Sequence, residues 1–292
     1  MKSYRIILIV IAFLSICFVQ QTYSQSSASD SSFHPYRVNY WITCPIIGVG
    51  MVTNYLGIPL TLHKKDLSLL EIQSLNRNII NFIDDWSLKQ DPSQMGTYEN
   101  YSNYVLISGV VLPALLLFDK KIRQDWGDVL LLYLETMSIT PNIYEWSFLG
   151  PNFQNRVRPV AYYYDPQNAE LTYDKLKTGN NRNSFYSGHV ASLSASTFFM
   201  VKVYSDYNPE IGNNKYLLYG AATIPPLILG YCRVKALKHF PSDVVVGLAV
   251  GALCGILIPE FHRLEDKNIN LGLYTSPEST GIALKWQPDF LK

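Results

Sequence analysis

The sequence has little charge. Charged residues make up 16% of its 292 residues, and the formal net charge is only +1. Nucleic-acid-binding proteins usually carry clustered basic residues and a clearly positive charge, so we expect no nucleic-acid partner. Hydrophobic residues make up 48% of the chain, which is rich for a soluble protein and modest for a chain made only of membrane spans. This composition predicts a protein that associates with a membrane.

Cysteine is also scarce, with four residues in the chain. Three of them follow the N-terminal leader described below, and Cys44, Cys232 and Cys254 lie far apart, in or beside apolar segments. An odd number without close spacing argues against a disulfide framework and against a zinc site. We therefore expect these three residues to be small members of the core.

Long uninterrupted apolar runs are few as well. Six apolar segments are predicted to be helices, namely 38–62, 101–118, 126–144, 187–203, 216–232 and 241–259. A membrane-spanning helix needs about 20 mainly apolar residues, and only the first segment is comfortably that long. The second is borderline, the third contains Asp128 and Glu135, and the last three fall a little short. Residues 67–86, with apolar residues at helical spacing, are predicted to form an amphipathic helix.

The two ends of the chain differ from this helical middle. Lys2 and Arg5 precede an apolar run and then small residues, which is typical of a secretory signal; an uncleaved anchor helix is the alternative. The tail alternates apolar and polar residues around a turn, which predicts a β-hairpin. The predicted organisation is a signal peptide over 1–24, a linker over 25–35, a helical domain over 36–263 and a C-terminal tail over 264–292.

Three short motifs in the second half carry residues suited to catalysis. In order they are Arg158-Pro159, then Ser187-Gly188-His189, then the group Arg233, His239 and Asp243. Each has an ordinary structural interpretation, as a solvated turn, a helix cap or the first turn of a helix. Their combination favours a site for an oxyanion.

The three motifs offer complementary chemistry. A helix that begins at Ser187 presents free N–H groups and the positive end of its dipole to an anion, and arginines donate charge-assisted hydrogen bonds. Because Asp243 follows His239 by four residues across a helix start, its carboxylate is expected to accept the proton of one ring nitrogen. The other nitrogen is then left as a nucleophile or base.

These motifs resemble the phosphatidic acid phosphatase type 2 superfamily, which includes bacterial acid phosphatases and vanadium haloperoxidases. The family pattern is a lysine, six residues and Arg-Pro; then Pro-Ser-Gly-His; then Ser-Arg, five residues, His, three residues and Asp. This chain has Pro151 in place of the lysine, Tyr186 in place of the proline and Cys232 in place of the serine. Either Arg156 or Arg182 is expected to supply the missing positive charge.

The resemblance implies an all-α helical bundle that hydrolyses phosphate esters through a phosphohistidine. It implies that His239 attacks phosphorus while Asp243 holds its far ring nitrogen. It implies that His189 protonates the leaving oxygen and then activates water. The expected phosphate-binding residues are Arg158, Ser187, Gly188 and Arg233. No metal or other cofactor is implied, except vanadate if the protein is a haloperoxidase.

The expected substrate is a lipid phosphate or pyrophosphate of the bacterial cell envelope, because the apolar helices beside the motifs can admit an acyl or prenyl chain. The alternatives are an exported acid phosphatase for small soluble esters, a vanadium-dependent haloperoxidase and an inactive membrane protein. The expected location is the inner membrane or its surface, with the site facing the periplasm.

Two expectations about topology conflict. The positive-inside rule places Lys120, Lys121 and Arg123 in the cytoplasm, which agrees with a site that faces outward. A cleaved signal leaves Val38 outside, and counting every later apolar segment as a span then puts Arg158 inside. Three resolutions are open: segment 38–62 lies on the outer surface, a mainly periplasmic bundle docks to the membrane, or the first segment is not cleaved as predicted.

Overall fold

The fold is described from a computed structural model of the chain. It describes residues 34–168 and 171–264, together with the backbone of 269–276 and 279–286. The predicted signal peptide, and all but the last two residues of the predicted linker, lie outside the described residues.

The described domain is helical, which confirms the all-α prediction for it. The α-helices are α1 Tyr40–Leu62, α2 Leu69–Gln73, α3 Met95–Val111, α4 Lys120–Gln124, α5 Trp126–Trp146, α6 Tyr173–Leu176, α7 Gly188–Tyr207, α8 Lys215–Ala222, α9 Ile224–Lys235 and α10 Pro241–Phe261. Short 3₁₀ helices join several of them. Where the sequence predicts a hairpin, the backbone places two antiparallel strands, β1 Ile269–Ser276 and β2 Ser279–Trp286, with Ile269 opposite Trp286.

Successive long helices run in alternate directions. The C-terminal ends of α1, α5 and α9 line one cavity together with the N-terminal parts of α3 and α7 and with Lys238 and His239, which directly precede α10. The basic helix α4 lies at the other end of the bundle, where the Lys121 Nζ is 3.3 Å from the carbonyl oxygen of Tyr207, the last residue of α7. The cavity and the basic segment are therefore separated by the length of α7.

Helix α7 is the centre of the bundle. It packs against α3, α5, α9 and α10 and buries most of its residues. Its contact with α10 is close because Gly247, Gly251 and Gly255 face it, and a Cβ on Gly251 would lie 2.1 Å from the carbonyl oxygen of Ala191. Small residues at this spacing let two helix backbones approach each other, so the starts of α7 and α10 are held side by side.

The predicted amphipathic helix over 67–86 is wrong. The structure has only the short helix α2 there, followed by 3₁₀ turns at Arg77–Ile79 and Asp84–Lys89. Local side chains explain the break, because the Asn76 Oδ1 accepts from the N–H of Asn78 and the Asn81 Oδ1 accepts from the N–H of Asp84. Such local hydrogen bonds compete with those of a continuous helix.

Four described helical segments are long and apolar enough to cross a membrane: Tyr40–Leu62, Pro92–Phe118, Pro209–Lys235 and Pro241–Phe261. The expectation that only the first is comfortably long enough is wrong. Prolines and polar residues at the ends of the second and third segments are taken up in 3₁₀ turns, which lengthen the helical stretch beyond the apolar run.

The cysteines follow the prediction in part. Cys232 and Cys254 are free and buried, as expected of small core residues. Cys44 is disulfide-bonded, so the expectation of no disulfide is wrong for this residue. The fourth cysteine of the chain, Cys17, lies outside the described residues.

Candidate active site

The three motifs meet in one cavity of about 440 Å³. Its lining includes five of the predicted site residues, Arg158, Gly188, His189, Arg233 and His239. Ser187 lies directly beside them, fully buried, and its Oγ has no hydrogen-bond partner among the described residues. The fold therefore brings together residues that are up to about 80 positions apart.

Two arginines in this cavity are buried without a carboxylate partner among the described residues. Arg158 is 8% exposed and Arg233 is 4% exposed. The Nε of Arg158 is 3.4 Å from the carbonyl oxygen of Asn183, and the Nη1 of Arg233 is 3.3 Å from the Ser102 Oγ. The Nε of Arg233 has no hydrogen-bond partner among the described residues. Since a buried charge without a counterion is costly, this pair indicates a site for an anion.

The N-terminus of α7 adds backbone donors. Ser187 occupies the N-cap position, but its hydroxyl makes no capping hydrogen bond. The first N–H groups of a helix have no intrahelical partner, so they are available beside the arginines. A Cβ on Gly188 would lie 3.1 Å from the Tyr144 ring, so glycine is needed for the close approach of that ring.

His239 is oriented by a backbone carbonyl. Its Nδ1 is 2.6 Å from the carbonyl oxygen of Ser184, and a carbonyl oxygen only accepts hydrogen bonds. The Nδ1 therefore carries the proton, and the Nε2 keeps its lone pair. Burial and then Arg233 and Arg158 lower the pKa of His239 well below its usual value, so the ring is neutral at ordinary pH.

Asp243 acts on His239 through Ser184, which corrects the prediction of a direct contact. The Asp243 Oδ2 lies 4.0 Å from the Nδ1 of His239. It accepts instead from the Ser184 hydroxyl at 2.6 Å and from the N–H of Phe240 at 2.8 Å. The carboxylate caps the start of its own helix, and this orientation turns it away from the imidazole.

Arg156 lies behind Asp243 and outside the cavity lining. Its Nη1 donates to the Asp243 Oδ1 and, at 2.8 Å, to the Ser242 Oγ, while its Nη2 is 2.7 Å from the Oδ2 of Asp84. Asp84 is fully buried and also accepts from the N–H of Ser242. Arg156 thus joins two buried carboxylates, and the expectation that it replaces the missing lysine is wrong.

The comparisons with known proteins agree with this geometry. The sequence model described as PAP2 superfamily matches residues 129–266, which contain all three motifs. Over these residues the chain is similar to the PAP2 superfamily. The match confirms the resemblance stated from the motifs and supports a phosphatase activity.

The chain was also compared with curated proteins and with solved structures. No curated protein matches the sequence. The chain is similar to a solved structure, "Crystal structure of the first transmembrane PAP2 type phosphatidylglycerolphosphate phosphatase from Bacillus subtilis", with 21% identity and a TM-score of 0.40 over 72% of this chain and 94% of that chain.

The contacts of Arg182 and Tyr186 show how these two residues are used in the structure. Arg182 donates to both carboxylate oxygens of Glu71 and to the carbonyl oxygen of Lys65, so it does not replace the missing lysine in the cavity either. Tyr186, in the place of the motif proline, is fully buried and packs edge-on against the Tyr144 ring at 5.3 Å. It therefore supports a cavity wall from behind.

The sequence motifs missed several residues of the cavity. Lys238 and Glu99 line it and form an ion pair of 2.9 Å, and Tyr144 and Glu145 line its side. Lys238 directly precedes the motif histidine His239 in the sequence, and this position could have indicated that it lines the same cavity. Nothing in the local sequence marks Glu99, which lies outside the residues matched by the family model.

His189 is held neutral by the same charges. Burial, followed by Arg233, Arg158 and Lys238, lowers the pKa of His189 to about 3. A dianion placed among these cations offsets their repulsion and raises the pKa of the imidazole. We therefore expect His189 to take up a proton when an anion binds, and to lose it when the anion leaves.

Replacing Arg156 by methionine is expected to destabilise the protein strongly, because Asp84 and Asp243 then remain buried without a cation. Removing one partner of a buried pair costs about 3–5 kcal/mol. Denaturant unfolding of the purified protein in detergent measures this change. Arg182→Met is the matched control, and its effect should be much smaller because Glu71 is half exposed. Equal losses in the two variants would contradict the assigned network.

Proposed function

We propose that the protein is a phosphatase that hydrolyses a lipid phosphate or pyrophosphate of the cell envelope through a phosphohistidine. The observation that carries the proposal is the pair of buried arginines, Arg158 and Arg233, which have no carboxylate partner among the described residues and share a cavity with two histidines. A phosphate dianion supplies the missing counter-charge. Ser187 and the N–H of Gly188 add donors for its oxygens.

In the first step, the Nε2 of His239 attacks phosphorus and the bond from phosphorus to the leaving oxygen breaks. His189, protonated in the presence of the dianion, donates its proton to that oxygen. The Ser184 carbonyl accepts the Nδ1–H of His239 and so stabilises the positive charge that develops on the ring. Asp243 keeps Ser184 in place.

In the second step, His189 takes a proton from water and the water oxygen attacks phosphorus. The bond between nitrogen and phosphorus breaks, inorganic phosphate leaves, and His239 returns to its neutral form. Both steps use only groups of this chain, and the proposal assigns no metal or other cofactor to them. The Arg158 and Arg233 guanidiniums stabilise the charge on the phosphoryl oxygens in each step.

His239→Asn should abolish phosphate release, whereas His189→Asn should slow it by about 10²–10⁴-fold, the usual contribution of a general acid and base. A substrate labelled with ³²P, quenched during turnover, should leave a label on the wild-type chain that is stable in alkali and labile in acid. His262→Asn is the control, since that histidine is 3.0 Å from Glu135 and does not line the cavity. A label that persists in His239→Asn would exclude the assigned nucleophile.

An apolar wall beside the arginines supports the lipid substrate. Ile58, Leu62 and Leu106 line the same cavity as the phosphate donors, and three of the four apolar helical segments contribute to its lining. An acyl or prenyl chain that leaves the cavity between these helices enters the apolar surroundings of the bundle. A small soluble ester has no acyl or prenyl chain that can pack against this wall.

Phosphatidate in mixed micelles should therefore be hydrolysed with a kcat/KM at least about 10-fold higher than p-nitrophenyl phosphate. The reason is that each buried methylene contributes about 0.8 kcal/mol, and two such groups suffice for a factor of ten. Leu62→Ser should reduce the lipid rate more than the rate with the soluble ester. Equal kcat/KM values for the two substrates would favour the exported acid phosphatase instead.

We also propose that the cavity faces the periplasm. Helix α7 has 20 residues and is about 30 Å long at 1.5 Å per residue, which is close to the thickness of the hydrocarbon core. The cavity lies at its N-terminal end and the basic segment α4 at its C-terminal end. The positive-inside rule assigns α4 to the cytoplasm, so the cavity is left on the outer side.

This orientation also bears on the predicted signal peptide. Residues 34–39, directly before α1, begin at the end of the bundle that carries α4, since the His34 Nδ1 is 2.7 Å from the Asp125 Oδ2. A cleaved signal would leave that end outside. The periplasmic cavity and cleavage after Ser24 therefore agree only if the bundle does not cross the membrane in full.

Single cysteines at exposed positions test the orientation. Asn78→Cys, in the segment that follows α2 near the cavity end, should react with a membrane-impermeant maleimide in intact spheroplasts. Lys120→Cys should react only after lysis. The wild-type chain is the background control, because Cys232 and Cys254 are buried. The reverse labelling pattern would place the cavity in the cytoplasm.

A further inference from the structure

The cavity contains a third cation that no motif predicts. Lys238 lines the cavity together with Arg158 and Arg233. Its Nζ is 2.9 Å from the Oε1 of Glu99, and about a quarter of its side chain, 26%, is exposed. Both partners of this ion pair face the same space as the two histidines.

The backbone directs Lys238 into this space. It lies in the connection between α9 and α10, where Leu237 adopts a left-handed conformation with φ 55°. The N–H of Lys238 donates to the carbonyl oxygen of Arg233 at 3.1 Å. This turn places Lys238 next to Arg233 and directly before His239. The pKa of Lys238 is lowered, mainly by burial. The ion pair with Glu99 opposes this shift, and the two arginines add to it.

We propose that Lys238 binds the phosphate group of the substrate and takes the place of the lysine that Pro151 replaces. This inference rests on the proposed phosphatase function and adds a binding residue to it. The two residues first expected in this role, Arg156 and Arg182, are held by carboxylates outside the cavity. Among the described residues, Lys238 is the one lysine in the lining.

The charges of the cavity fit this role. Arg158, Arg233 and Lys238 carry three positive charges, and Glu99 removes one of them. Burial raises the pKa of the second carboxyl in the lining, Glu145, to about 7, so this carboxyl is largely protonated below neutral pH. A net charge of +2 matches a phosphate dianion. Glu99 keeps the ammonium group at the edge of the cavity until the phosphate arrives.

A competing explanation is that Lys238 only neutralises Glu99. Under that explanation, removing both partners together restores phosphate binding, since the carboxylate no longer repels the anion. Under our proposal the same double variant stays impaired, because the third phosphate contact is absent. The double variant therefore distinguishes phosphate binding by Lys238 from simple neutralisation of Glu99.

The experiment compares Lys238→Met, Glu99→Gln and the double variant with the wild-type protein in detergent. The readouts are the inhibition constant of orthovanadate and the KM and kcat for p-nitrophenyl phosphate. Loss of a charge-assisted contact is expected to raise the inhibition constant and the KM by about 10- to 100-fold in Lys238→Met, with a smaller change in kcat. Glu99→Gln should lower the inhibition constant, and the double variant should stay at least about 10-fold weaker than wild type.

The control variant is Lys235→Met, because Lys235 lies one turn earlier, near the Tyr98 and Tyr231 rings and outside the cavity lining. Its inhibition constant should equal that of the wild type. Recovery of wild-type inhibition in the double variant, or an equal loss in Lys235→Met, would overturn the role of Lys238 and leave the proposed function standing. A wild-type protein that neither releases phosphate nor is inhibited by orthovanadate would overturn the proposed function itself. The double variant leaves no unpaired carboxylate, so it also shows whether a loss in Lys238→Met reflects misfolding.

Discussion

The site depends on one junction, where the starts of α7 and α10 meet. The N–H of Ser187 donates to the Asp243 carbonyl at 3.1 Å, and the Asp243 carboxylate binds Ser184, the start of its own helix and Arg156. One residue thus fixes the N-terminal turn of α7 and, through the Ser184 carbonyl, the ring of His239. The glycines of α10 permit this junction, since they let the two helices pack with their backbones almost in contact.

The two carboxylates at the junction pair with an arginine that does not line the cavity, and the cavity therefore keeps its positive charge. Asp84 and Asp243 are both committed to Arg156, so neither neutralises Arg158 or Arg233. Burial, and then the same cations, lower the pKa of His189 and keep it unprotonated in the absence of an anion. The acid of the proposed reaction is consequently formed by substrate binding, while the nucleophile is ready beforehand because its tautomer is set by a backbone carbonyl.

Features of the structure that have a local sequence pattern could be predicted from the sequence. The long helices follow from the apolar segments, and the combination of the three motifs predicted that Arg158, His189, Arg233 and His239 would meet. The contacts that decide the roles are not local. Asp84 lies 72 residues from Arg156, and Glu99 lies 139 positions from Lys238 in the numbering. No periodicity joins such pairs, so the sequence could not show which arginines are free to bind an anion.

The missing lysine of the first motif bears on whether the site is active. Two buried guanidiniums without a carboxylate partner among the described residues are costly in a protein interior, and a bound oxyanion offsets that cost. In this chain the arginines persist beside a neutral histidine whose lone pair is set by Ser184. The lysine charge is moved from before Arg158 to the residue before His239, where Leu237 turns the backbone toward the cavity. In the proposed phosphatase, Pro151 then marks the relocation of one phosphate contact, and the remaining donors still surround the same cavity.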